Sequence, residues 1–386
     1  MDLLRFKYNN GGGVCSRCVL DKTVEGIHFN EKGECTFCGV HDELESKYRL
    51  DDDSGINKIV KKIKKYGRGK SYDCVVGLSG GKDSSYTLVQ VCELGLRPLV
   101  VHFDNGWNSN NAVSNIEKLC KRLNVDLFTH VADWEEFKGL QKAFLLASTP
   151  DGEVPTDYVI SSVLYQVASK EGIKYIIGGQ SFRTEGTTPL TWTYQDPIYI
   201  KDVYSKYSKK RIKSFPIMGP AKFLYYSLVR RVKWIRLLYY MQYDEDSSVT
   251  YLEKNYDWKN YGGKHFESNY TSFYQSYILT RKHNIDKRKL HYSAKIRSGQ
   301  MTRDVALELL TVDPYEGGEK MMNHVVKKLD LTKESFDKIM EVPTRSFRDY
   351  KSLYKLILLF KPLIVVLNNM GIVPSTVIKK YYSFKY

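Results

Sequence analysis

Between residues 73 and 179 the chain alternates between two periods. Short apolar runs stand at "DCVVGL" (73–78), "RPLVVHFD" (97–104), "DLFTHVA" (126–132) and "IKYIIGG" (173–179). Between them lie "SSYTLVQVCELG" (84–95), "NAVSNIEKLCKRLN" (111–124), "WEEFKGLQKAFLLAS" (134–148) and "YVISSVLYQVASKEG" (158–172), whose apolar positions recur every three or four residues. The short runs predict buried strands and the longer stretches predict helices. Strands alternating with helices predict an α/β fold: a doubly wound parallel sheet with helices on both faces. Ligands bind such sheets outside the carboxyl ends of the strands. Three polar segments, "SGGKDSS", "HFDNGW" and "GGQSFRTEG", follow strand ends and are expected to converge there.

Outside this block the pattern changes. Residues 1–50 have little apolar periodicity and several Gly and Cys, so they bury little core of their own. "DDDSG" (51–55) is a polar break before a basic helix, "INKIVKKIKKYG". Beyond about residue 215 Tyr becomes frequent, and the segments read as helices without strands between them. The expected organisation is a segment over 1–50, an α/β domain over 51–215, a mainly helical domain over 216–350 and a basic apolar tail over 351–386. The stretch "AKFLYYSLVRRVKWIRLLYYMQY" (221–243) reads as a basic amphipathic helix packed in the helical domain. Weak peripheral contact with an anionic membrane is the lesser alternative for it. No run of 18 apolar residues predicts a spanning helix, and the first residues lack a leader pattern, so a cytoplasmic location is expected.

Charge narrows the partners without choosing one. The formal net charge is +15, which favours nucleic acid, a lipid surface or a phosphorylated small molecule. Residues 201–240 carry eleven Lys and Arg against one acid, and 351–386 carry six Lys and no acid.

Cysteine usage is more specific. Of seven Cys, four form Cys15-x-x-Cys18 and Cys35-x-x-Cys38, sixteen residues apart. This is the spacing of a zinc ribbon. Four thiolates complete a closed tetrahedral Zn²⁺ site, which is structural rather than catalytic. Such a site suits a segment too small to fold by burial. Cys74, Cys92 and Cys120 fall in strand or helix patterns and read as core residues.

The first glycine loop carries the chemistry. It is not a Walker A loop: Asp83 follows Gly81-Lys82 where Ser or Thr should stand, and Val76 occupies the first glycine position. The run Ser79-Gly80-Gly81-Lys82-Asp83-Ser84, extended by Ser85, resembles the S-G-G-x-D-S loop of the ATP pyrophosphatase (PP-loop) superfamily, the adenine nucleotide alpha hydrolase-like fold. Glycines let backbone N–H groups approach oxyanions, and the following helix offers its positive end. Hydroxyls of Ser79, Ser84 and Ser85 and the charge of Lys82 add to this. The resemblance implies ATP as cosubstrate, cleaved to AMP and pyrophosphate. Asp83 is then a Mg²⁺ ligand, which explains an acid inside a phosphate loop. It also places Val101, His102 and Phe103 beside the adenine, although His102 reads equally as a satisfied sheet residue. Gly178, Gly179 and Gln180 are expected to line the reacting centre. Glu185 is either a second Mg²⁺ ligand or a solvated loop carboxylate. Asp83, Lys82, Gln180 and Glu185 are the catalytic candidates.

The combination of "CSRCVLD", "GIHFNEKGECTFC", the loop, "GGQSFRTEG" and "YGGKHFESNYTSFYQSYILTRKHNIDKRKLHYSAKIRSGQMTRDVALELL" resembles the N-acetyl sugar amidotransferase family over residues 14–350. The resemblance implies adenylation of the acetamido oxygen of a nucleotide-linked N-acetyl sugar. Ammonia then displaces AMP to give an acetamidino sugar, used in bacterial O-antigen lipopolysaccharide or flagellar glycan. No glutaminase nucleophile is visible in the chain, so ammonia comes from solution or from a partner. The resemblance implies a separate glutaminase with a cyclase-like subunit, similar to those of imidazole glycerol phosphate synthase, and no nucleic-acid partner. Arg281, Lys282, Lys287, Arg288 and Lys289 are candidates for binding the acidic sugar or its diphosphate, or else form a solvated basic face. His265 and His291 are weaker candidates. The alternative is a tRNA-modifying PP-loop enzyme, such as a thiolation enzyme. It is disfavoured because only Cys92 and Cys120, both in helical patterns, follow the loop. A non-enzymatic zinc-ribbon binding protein would not need Asp83 in its loop.

Overall fold

All four strands read from the sequence form, and a fifth joins them. The computed structural model describes residues 13–50, 54–373 and 375–382. The strands are β1 (Cys74–Gly77), β2 (Pro98–Asp104), β3 (Leu127–Val131), β4 (Tyr175–Gly178) and β5 (Lys233–Arg236). They lie in the order β3-β2-β1-β4-β5, with every pair parallel. The chain winds outward from β1 in one direction through β2 and β3, and in the other through β4 and β5. The crevice between the loops leaving β1 and β4 is the topological switch point where such sheets bind ligands.

Helices cover both faces. In chain order the first seven are α1 (Thr36–Lys47), α2 (Ser54–Gly67), α3 (Lys82–Glu93), α4 (Asn110–Leu123), α5 (Trp134–Ala147), α6 (Val154–Lys170) and α7 (Pro197–Tyr207). Side chains alternate across the pleat. Cys74, Val76, Val100 and Ile177 pack with Ile63 of α2, Leu88 of α3 and Leu119 of α4. Val75, Leu99, Val101 and Ile176 pack with Phe144 of α5 and Val163 and Leu164 of α6. Burial on both faces is why these strands read as continuous apolar runs. Truncating one of these side chains, such as Ile177 or Leu88, to Ala would destabilise the fold by about 2–5 kcal/mol.

The stretch 221–243 departs from its expected single helix. A short helix, Pro220–Leu224, passes into a π-helical turn at Tyr225–Val229, and the chain then enters β5 and a 3-10 turn at Leu237–Tyr239. Arg231 adopts a left-handed φ of 59° and ends the helical run. Val232, Trp234 and Ile235 are β-branched or aromatic and suit a strand. The open edge of β4 supplies the pairing, so the sheet draws residues from both sides of position 215.

The rest of the C-terminal region is mainly helical, as expected; its longer helices include Glu245–Tyr256, Lys287–Arg297 and Gly318–Lys328. Among the described residues no helix is long and apolar enough to cross a membrane.

Candidate active site

The loop leaving β1 is built by two close approaches. Gly80 has a φ of +79°, and a Cβ there would stand 2.4 Å from the carbonyl oxygen of Ala112 at the start of α4. A Cβ on Gly179, at the end of β4, would stand 2.9 Å from the carbonyl oxygen of Asp83. Gly80 is therefore required for the first loop to close on α4, and Gly179 for the second to close on the first turn of α3. Within the loop, the Ser79 N–H donates to Ser84 Oγ (3.2 Å), and the Gly81 N–H donates to Ser79 Oγ (3.2 Å). The Lys82 N–H donates to Tyr261 Oη (3.0 Å). Ser79 Oγ donates in turn to Glu267 Oε1 (3.4 Å).

Beside the loop, carboxylates and ammonium groups interlock. Lys264 Nζ lies 2.9 Å from Asp83 Oδ2 and 3.8 Å from Glu185 Oε1, so one buried lysine stands between the two expected Mg²⁺ ligands. Asp83 also accepts from the hydroxyl of Tyr243. Lys82 is ion-paired with Glu245, whose other oxygen lies 3.1 Å from Lys295. Burial alone would lower the Lys264 ammonium, but Asp83, Glu185 and Glu245 together outweigh it and hold it above the usual lysine range. Burial raises the Glu185 carboxyl to about 7, the negative Asp83 adds to this, and Lys264 opposes it. Burial also raises Glu267. Glu245 goes the other way, to about 2, because Lys264, Lys82 and Lys295 overcome its burial.

Two histidines close this side. The rings of His265 and His291 meet edge-on with centroids 5.7 Å apart. Burial and the nearby Lys264 and Lys287 keep both neutral, with His265 lowered to about 3. His265 holds a left-handed φ of 66°, a strained conformation of the kind that clusters at functional sites.

The structure brings together Ser79, Gly80, Gly81, Lys82, Asp83, Ser84, Gly179 and Glu185, while Gly178 faces Gln180 and Trp234. Ser85 is fully buried and accepts from Trp258 Nε1 (3.1 Å), so its hydroxyl serves the core rather than the open side of the loop. Val101 and Phe103 face the α5–α6 side of the sheet. His102 points the other way and is satisfied by Leu78 O (2.8 Å) and Asn108 Nδ2 (3.1 Å). The three side chains thus do not line one surface. Phe103 instead lines a cavity of about 340 Å³ with His130, Phe137 and Phe215, apart from the loop. Gln180 is exposed and accepts from Trp234 Nε1 of β5 at 3.4 Å.

Of the basic run, four members have structural partners. Arg281 binds Asp313, Lys282 binds Ile339 O, Arg288 binds Asp286, and Lys289 binds Asp21. Lys287 differs: its charge acts on Asp151, Glu153, Asp157, His265 and His291. Sequence reasoning gave no role to Tyr243, Glu245, Tyr261, Lys264 or Glu267. The only signal for the last three is the run of polar residues and glycines in "YGGKHFES".

The four paired cysteines converge as their spacing requires. Their Sγ atoms all lie within 4.8 Å of one another, with Cys15–Cys38 at 3.8 Å and Cys18–Cys35 and Cys35–Cys38 at 3.7 Å. Thiolates at about 2.3 Å from a tetrahedral ion stand about 3.8 Å apart, so the set fits one metal ion. Arg297 Nη1 reaches Cys18 Sγ (3.6 Å) and Cys38 Sγ (3.9 Å) and offsets the thiolate charge. The knuckle docks on the site's own supports. Val19 N–H donates to Ser293 Oγ, Arg303 donates to the carbonyls of Cys15 and Cys18, and Glu45 binds Arg183 two residues before Glu185.

Comparisons with known proteins agree with parts of this picture. Residues 267–361 match the C-terminal domain of the LPS biosynthesis protein WbpG-like family. An uncharacterized protein of Methanocaldococcus jannaschii is 29% identical over 167 residues; the match covers 43% of this chain and spans 58% of that relative's length. Among solved structures, the U34-tRNA thiolase NcsA of Methanococcus maripaludis, solved with its 4Fe-4S cluster, is 15% identical, with 66% of this chain and 80% of that one covered at a TM-score of 0.30. The NH3-dependent NAD synthetase of Campylobacter jejuni is 18% identical, with 53% and 84% covered at a TM-score of 0.28. Likenesses of that size leave the fold to rest on the strand order and the loop. The stretch that matches the WbpG-like model begins at Glu267, beside the loop.

Proposed function

We propose that the chain is an ATP-dependent, AMP-forming amidotransferase that converts a nucleotide-linked N-acetyl sugar into an acetamidino sugar for bacterial surface polysaccharide or flagellar glycan, in the cytoplasm. The observation that carries this reading is the S-G-G-x-D-S loop at the switch point, its Asp83 paired with Lys264 beside Glu185 and its Ser79 met by Glu267, the first residue of the WbpG-like match.

The acetamido oxygen attacks the α phosphorus of ATP, the bond to pyrophosphate breaks, and pyrophosphate leaves. Ammonia attacks the carbon of the resulting imidate. The C–O bond to AMP breaks with its electron pair, and one proton leaves nitrogen. In this reading the N–H groups and hydroxyls of Ser79–Ser84 exchange their internal bonds for phosphate oxygens. Lys82 and Lys264 supply positive charge where negative charge gathers. Asp83 and Glu185 would hold the Mg²⁺ that balances the triphosphate. In this reading Glu267, with Oε2 unpartnered and its carboxyl raised by burial, takes the ammonia proton. Cys15, Cys18, Cys35 and Cys38 would hold a structural Zn²⁺. Less favourable to the tRNA-thiolation alternative, Cys92 and Cys120 lie on α3 and α4, and burial pushes both thiols up to about 11.

The purified chain, given ATP, Mg²⁺, ammonium chloride and a panel of nucleotide di-N-acetyl sugars, should release AMP and pyrophosphate with an acetamidino product seen by mass. Release of ADP and phosphate instead would exclude the PP-loop reading.

A further inference from the structure

The tail presents an apolar surface that the described residues leave uncovered. Helices Tyr354–Leu359 and Lys361–Asn369 contain no buried residue. Leu359 is 70% exposed, Met370 58% and Leu363 55%, and Leu356, Phe360 and Val366 are exposed beside them. A helix that is apolar around most of its circumference belongs in a protein core or in lipid, and water is a poor solvent for it.

This is a held arm. Tyr354 packs against Phe347 and Tyr194 at its start. Beyond it, helix Ser375–Tyr382 returns to the body, where Lys379 binds Glu43 and Lys380 Nζ donates to Thr193 O (2.6 Å), while Tyr382 Oη donates to Ile357 O (2.5 Å) of the arm itself. The apolar pair of helices is therefore presented between two anchors.

Charge decides among occupants. Residues 351–386 contain no acid, and Lys351, Lys355 and Lys361 flank the apolar positions. A second copy would set lysine against lysine on a chain already at +15. An anionic bilayer complements both the apolar face and the lysines. The segment is too short to span, since a crossing needs about 20 apolar residues and Lys361-Pro362 interrupts this run. We infer that residues 354–370 lie in the plane of an anionic lipid surface and dock the protein on it from one side.

The test is flotation of the full chain with vesicles of phosphatidylcholine alone or mixed with phosphatidylglycerol. The parent should float with the anionic vesicles only. A Leu359→Glu/Leu363→Glu variant with the parent's melting temperature should stay behind. Lys355→Glu/Lys361→Glu should weaken binding roughly tenfold or more. Three outcomes would each overturn the inference: no binding of the parent to anionic vesicles, undiminished binding of the leucine variant, or a parent dimer in solution that the leucine variant abolishes.

Discussion

Lys264 is the side chain on which the site's charge balance turns. It is 9% exposed and is shared by Asp83 and Glu185. Removing one partner from a buried ion pair destabilises by about 3–5 kcal/mol. Lys264→Met should therefore lower the melting temperature in the absence of divalent cations, and Mg²⁺ should restore part of the loss. An unchanged melting temperature, or no recovery with Mg²⁺, would contradict this placement. Glu185 predicts a pH effect. Its folded value, about 7, lies above the roughly 4.3 of a free glutamate, so the folded state prefers the protonated carboxyl. Stability from this group is present at low pH and is lost as pH rises through that interval. Glu185→Gln should flatten that part of the curve and melt higher than the parent at pH 8, while AMP formation falls; melting curves across pH check it. The loop residues were legible because glycines and serines after a strand are local signals. Lys264, Tyr243 and Glu245 were not, because they reach Asp83 and Lys82 from 160 or more residues away and sit in ordinary polar surroundings.

At the scale of elements, helix Lys287–Arg297 joins the two halves of the site. Residues four apart share a helix face. Lys287, His291 and Lys295 turn toward the carboxylates, while Lys289, Ser293 and Arg297 turn toward the cysteine knuckle. Neither stripe is apolar, which is why sequence patterning leaves Lys287, Arg288 and Lys289 open between a sugar or diphosphate site and a solvated basic face. The metal knuckle then acts as a buttress for the site. Cys18→Ser should lose the metal, lower the melting temperature and weaken ATP binding together; metal analysis of the parent should give one zinc per chain. A metal-free Cys18→Ser protein that melts like the parent would refute the structural role. The strands of the central sheet were legible because burial on both faces writes them as apolar runs. β5 was not, since Lys233 is exposed and its other three residues are only half-buried at the sheet edge, and their basic neighbours imitate an amphipathic helix.

For the whole molecule, strand order places the loop after β1 and the segment after β4 on the two walls of one crevice, and the WbpG-like region closes it. Expected α/β layering was readable from alternation alone; the closure was not, because contacts such as Ser79–Glu267 join residues 188 apart. With ammonia as the nitrogen source, the chain alone should turn over with ammonium salts, faster at alkaline pH where free ammonia is more abundant. It should leave glutamine untouched until a glutaminase is added. Glutamine-dependent product from the chain alone, free of other proteins, would defeat that expectation. The same long reach has a consequence in time. Arg297, which offsets the charge of the metal-binding thiolates, lies 259 residues beyond Cys38. A ribosome adding about 5–20 residues per second delivers it roughly 13–50 s later. During synthesis the nascent knuckle spends that interval without this counter-charge, which arrives only after about three quarters of the chain has been made.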